Sequence, residues 1–128
     1  MLINVEQERK QREALKPKTL EELKALKLKE IKAHFSKLYS QEMSNFTSLE
    51  VSTFDSQKAD YKAWITDSEA HTPTVDALAE VRGIGREYLL GKIGEKLTLQ
   101  ILMVGKQQKL EDDVKHCESI EELEAITL

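Results

Sequence analysis

Cysteine is nearly missing from this chain. Cys117 is the only one in 128 residues, so no disulfide can close within the chain and no thiolate cluster can hold a metal. A reducing place of synthesis is the simplest expectation. Proline and glycine are almost as scarce, two and five residues, which excludes Pro-rich or Gly-rich linker sequence and leaves few obligatory turns. Aromatics make up 5%, so the core has to be a modest one built from aliphatic side chains. Long apolar runs are missing too. The longest, Leu97 to Val104, is interrupted by Thr98 and Gln100 and falls well short of the roughly 20 apolar residues of a membrane span. Met1-Leu2-Ile3-Asn4-Val5-Glu6 lacks a basic segment followed by an apolar one, so neither export by a signal peptide nor contact with a membrane is expected.

What is abundant is charge. Asp, Glu, Lys and Arg make up 33% of the chain beside 40% hydrophobic residues, the balance of a helix-rich, well-solvated protein. The net charge of −4 argues against broad nucleic-acid binding, which favours a basic surplus. The charge is uneven: residues 1 to 44 hold ten Lys/Arg against seven acids, and residues 110 to 128 one Lys against seven acids. Such asymmetry can orient one copy against another or against a partner, although solvated helix faces also produce it.

Helical signals dominate the pattern, and a mainly α, small helical bundle is the expected fold. Thr19 and Glu22 form a capping box after Pro17, and Leu20, Leu23, Leu26, Ile31, Phe35 and Leu38 recur near helical spacing to about Glu42. Residues 1–18 read as an arm before a single helical domain, 19–128, with the polar stretch Val5 to Leu15 a frayed helix or a segment ordered by a partner. Phe46, Leu49, Val51 and Phe54 lie among Ser, Thr and Asn, which favours turns and a short β-hairpin over 46–54. From Asp55 or Ser56 a helix should run to about Asp67, burying Ala59, Trp64 and Tyr61. Thr72-Pro73 starts another, and Gly83 stops it by adopting positive φ.

The longest element is expected from Arg86 to His116. Leu90, Ile93, Leu97, Ile101 and Val104 form one apolar line on it, and Leu99, Leu102 and Met103 widen the apolar surface beyond one face. Gly91, Gly94 and Gly105 mark sites of close packing or a local break. Ser119 and Glu122 cap a short terminal helix.

The order of landmarks from residue 54 to 126 is more specific than any single piece. Ala63-Trp64-Ile65 ends a helix, Thr66-Asp67-Ser68-Glu69-Ala70-His71 forms a polar joint, and Thr72-Pro73 opens a helix holding Asp76-Ala77-Leu78-Ala79. Arg82-Gly83 stops it, the long apolar helix follows, and Ser119-Ile120-Glu121-Glu122-Leu123-Glu124-Ala125-Ile126 closes the series. This order resembles the C-terminal portion of small bacteriophage and prophage tail proteins associated with tail fibres. The resemblance implies a non-enzymatic tail component, a structural subunit or an assembly helper, located in the bacterial cytoplasm during assembly or in the virion tail. The expected partners are a second or third copy of the chain or a tail-fibre or baseplate protein. Leu97, Leu99, Ile101, Leu102, Met103 and Val104 are the candidate interface, because a chain this short offers no obvious cover for both faces of the helix.

Val81-Arg82-Gly83-Ile84-Gly85-Arg86 carries the competing reading. It resembles the turn of a helix-hairpin-helix DNA-binding motif, in which backbone N–H groups meet a phosphate, so Arg82, Gly83, Gly85 and Arg86 are the alternative DNA contacts. Leu89 stands where that motif wants a small residue, and Ile93 falls one residue late. Gly83 and Gly85 also begin a dinucleotide fingerprint, but Tyr88 replaces the third glycine and no strand pattern precedes them. No metal or cofactor fingerprint is evident. His34, His71 and His116 lie in different elements, Asp112 and Asp113 point apart on a helix, and Cys117 next to His116 is no dyad. No catalytic role is expected.

Overall fold

In the computed structural model the backbone is described for residues 4–15 and 17–128, and side chains are not described at 13–15. The leader reading at Met1, Leu2 and Ile3 lies outside these residues. Among the described residues seven helices follow one another: α1 (Val5–Leu15), α2 (Leu20–Met43), α3 (Ser48–Val51), α4 (Phe54–Thr66), α5 (Pro73–Arg82), α6 (Arg86–His116) and α7 (Ile120–Glu124). No strand occurs among the described residues.

The caps behave as their residue types dictate. Thr19 Oγ1 accepts the Glu22 amide at 3.2 Å and starts α2, and Ser119 Oγ accepts the Glu122 amide at 3.1 Å and starts α7. Gly83, at φ 67°, ends α5 in a Schellman turn: the Ile84 amide donates to Ala79 O and the Gly83 amide to Glu80 O. The hairpin expected over 46–54 is instead α3. Thr47 Oγ1 accepts the Glu50 amide and the Glu50 carboxylate accepts the Thr47 amide, each at 3.1 Å. That reciprocal capping box outweighs the strand preference of the neighbouring residues.

The core is divided. At one end of α6, Val75, Ala79, Leu89, Leu90 and Ile93 join α5 to α6, with Tyr61, Trp64 and Ile84 packed around them. At the other, Ile31 of α2, Val114, Cys117 and Leu123 of α7 form a second cluster. Leu90 and Val114 are both fully buried, yet 24 residues at about 100° each place them roughly 120° apart around the helix. The first half of α6 therefore turns one face to α4 and α5, and the second half another face to α2 and α7. Lys24 Nζ donates to Lys115 O at 3.2 Å, and Lys32 reaches Glu111 at 3.9 Å, tying α2 to α6. Among the described residues α1 shares few contacts with the other helices. Local contacts seen within it are the Glu6 amide donating to Asn4 Oδ1 and the ion pair of Arg12 with Glu8.

Two burial expectations fail. Ala59 is exposed and its neighbour Asp60 is buried, because the carboxylate has a partner on α5 that repays its desolvation. Leu26 is exposed and Leu28 packs on the second cluster in its place. Trp64 is half-buried at the rim of the first cluster, so Trp64→Ala is expected to cost about 2–3 kcal/mol, below the roughly 3–5 of a fully enclosed ring; urea unfolding measures it.

The glycines of α6 separate cleanly. A Cβ on Gly94 would lie 2.6 Å from the Tyr61 ring, whereas Gly91 and Gly105 have nothing within 4 Å of that position. Gly94 thus lets α4 approach, and α6 runs unbroken through all three. Gly91→Ala and Gly105→Ala should each stabilise by about 0.5–1 kcal/mol through helix propensity. Gly94→Ala should destabilise by about 1 kcal/mol or more through overpacking. Thermal unfolding of the three variants gives opposite signs of ΔTm.

Candidate binding groove

After Leu97 the cover of α6 runs out. The apolar line Leu90, Ile93, Leu97 faces α4 and α5, but its continuation does not: Ile101 is 70% exposed and Val104 52%. On a second face Leu99 is 63% and Leu102 55% exposed, with Met103 half-buried beside them. Of the six expected interface residues, then, Leu97 and Met103 are partly covered from within, and Leu99, Ile101, Leu102 and Val104 are not. The line keeps its helical spacing, but its cover ends at Leu97, and Ile101 and Val104 lie beyond the reach of α4 and α5.

Leu99, Leu102 and Met103 line an open groove of about 1360 Å³ between α6, the end of α2, α3 and the start of α4. Phe46 and Phe54 form its aromatic wall, edge to face with centroids 5.1 Å apart. Lys96 lies across that wall, 4.6 Å from the Phe46 centroid, a cation–π contact. Leu49 of α3 is 79% exposed at its edge. Sequence reasoning missed the α2–α3–α4 side, whose one local signal was the Thr47–Glu50 capping box.

The residues named for DNA contact are arranged differently. Arg86 Nε donates to Thr72 Oγ1 at 2.8 Å and lies 3.0 Å from Asp76 Oδ1, and its Nη2 donates to Ala70 O at 2.7 Å. Thr72, which with Pro73 starts α5 as read from the sequence, is fully buried, and its hydroxyl donates to Asp76 Oδ1 at 2.9 Å and caps no backbone amide. The α5 cap comes from α4: Asp60 Oδ2 accepts the Val75 amide at 2.9 Å. Arg86 therefore fastens the joint between α4 and α5 to the first turn of α6. Arg82 is exposed, and the Gly83 and Ile84 amides are engaged in the Schellman turn. Arg86→Ala is expected to cost about 1–2 kcal/mol, reduced by its partial exposure, while Arg82→Ala should be near neutral; denaturant titration compares them.

The remaining polar candidates stay apart. His34 is half-buried against Phe35, His71 is exposed, and His116 Nδ1 lies 2.6 Å from Asp112 O. Lys109 Nζ donates to Asp113 Oδ1 at 2.6 Å, and this bond with the carboxylate charge raises the Lys109 ammonium above its ordinary value. Cys117 is buried and its thiol donates to Asp113 O at 3.2 Å. No group of three or more His, Cys, Asp or Glu side chains suited to a metal ion occurs among the described residues. No helix among them is long and apolar enough to cross a membrane. No family model matches the chain, and comparison with curated proteins and with solved structures returns no match.

Proposed function

We propose that the chain is a non-enzymatic phage or prophage tail component, a structural subunit or assembly helper of the tail fibre or baseplate, that acts by helix-mediated association. The observation that carries the association is the uncovered middle of α6, where Leu99, Ile101, Leu102 and Val104 stand in solvent on two faces. Each such side chain contributes on the order of 1.5–3 kcal/mol when fully buried, and several together can outweigh the entropy lost on association. The tail assignment rests on the order of landmarks from Phe54 to Ile126. Dimer or trimer formation through the Ile101 and Val104 face fits the cyclic symmetry common in protein assemblies.

Deleting the coding sequence from its parent phage or prophage tests the assignment. Heads and DNA replication should persist while particles lack working fibres or baseplates; intact, infective tails would contradict it. The geometry does not favour the DNA-binding reading, because Arg86 and two of the turn amides are already engaged. Anisotropy titration with duplex DNA at physiological salt should show no binding at micromolar protein. A steeply salt-dependent affinity weakened by Arg82→Ala would restore that reading.

A further inference from the structure

We infer that the groove beside α6 receives an amphipathic helix of a different protein, about 18 residues long, with a leucine-type stripe flanked by Asp and Glu. This inference rests on the reading of α6 as the association element and adds the chemistry of the partner. Along α6 the groove lining runs from Tyr88 to Lys106, about 27 Å at roughly 1.5 Å per residue, the length of a five-turn helix. Its walls are helices, and no strand edge exists among the described residues for an extended peptide to pair with. Its volume exceeds the range of about 300–1,000 Å³ usual for small ligands.

Charge selects the flanks. Lys58, Arg82, Lys96 and Lys106 border the groove against Glu42 and Glu50, with Lys92 beside them paired to Glu95 at 3.4 Å, a cationic rim on a chain of net charge −4. Glu50 is moreover held by the Thr47 amide. A second copy matches this rim poorly. Its α6 would bring Lys92, Lys96 and Lys106 against the same cations, and its acidic C-terminal segment has Leu123 buried and Ile126 packed in its own core. Opposite charge on a foreign helix removes that repulsion and sets its orientation.

The test is anisotropy of a labelled, hydrocarbon-stapled 18-residue helix with leucines at i, i+3, i+4 and i+7 spacing and glutamates elsewhere, beside the same helix with lysines for the glutamates. The acidic helix should bind in the micromolar range and the basic one at least about tenfold more weakly. Lys96→Glu/Lys106→Glu should reverse that preference, and Leu102→Glu, a substitution at an exposed position, should abolish binding with the circular dichroism unchanged. Ile101→Glu/Val104→Glu, outside the groove lining, should leave binding intact. No saturable binding up to roughly 100 µM, equal affinity for the basic helix, or loss of binding on Ile101→Glu/Val104→Glu would overturn the proposal. So would a self-associated wild type that binds neither helix and is made monomeric by Leu102→Glu alone, since the groove would then hold a second copy. Peptide binding by a protein that stays monomeric would instead remove self-association and leave the groove assignment standing.

Discussion

Leu90→Ala is expected to lower the unfolding free energy by about 3–5 kcal/mol. Leu90 is fully buried where α5 meets α6, within the cluster of Val75, Ala79, Leu89 and Ile93. Truncation removes apolar burial and leaves a cavity that two packed helices cannot close, and the upper part of the range for buried leucines applies. For a chain of this size a loss of that order is a large share of total stability. Urea denaturation followed by far-UV circular dichroism gives the value. A loss under about 1 kcal/mol would mean that this cluster does not hold α5 to α6. Leu102→Ala, at an exposed position of the same helix, should change the stability of the monomer by less than about 0.5 kcal/mol.

Asp60→Ala should cost about 2–3 kcal/mol, through hydrogen bonding rather than volume. The Asp60 carboxylate is buried and accepts the amide of Val75, itself fully buried in the first turn of α5. Without the carboxylate that N–H has no replacement partner, and a negative charge favourable to the helix dipole is lost with it. Asp60→Asn keeps an acceptor in place and should cost about 1 kcal/mol, because it loses the charge alone. Equal effects of the two substitutions in urea titration would show that shape, not the bond to Val75, is what Asp60 supplies.

The sequence announced its helices where a local rule fixed them. Thr19 with Glu22, Thr72-Pro73, Gly83 and Ser119 with Glu122 set helix ends by chemistry contained within four residues, and the Arg86–His116 span follows from Gly85 and the apolar spacing after it. The same rule stood at Thr47 and Glu50, where the Ser, Thr and Asn around it suggested strands and turns. Thr72-Pro73 marked where α5 begins, but the side chain that caps it had no local signal, since Asp60 meets Val75 only after α4 and α5 have packed. The middle of α6 was legible as surplus apolar surface at Leu99, Leu102 and Met103. The exposure of Ile101 and Val104 was not, because periodicity shows which residues share a face but not where the neighbouring helices end. For the same reason the groove could not be read from the chain: its walls come mainly from α2, α3 and α4, whose lining residues lie thirty or more positions before the α6 floor.

Light scattering on the purified protein over a range of concentrations tests most directly whether the middle of α6 is an association surface. The wild type should approach two or three times its 14.6 kDa mass, while Ile101→Glu/Val104→Glu should remain monomeric, equally helical and more soluble. A wild-type chain that stays monomeric at high micromolar concentration, and is no less soluble than that variant, would contradict self-association through this helix.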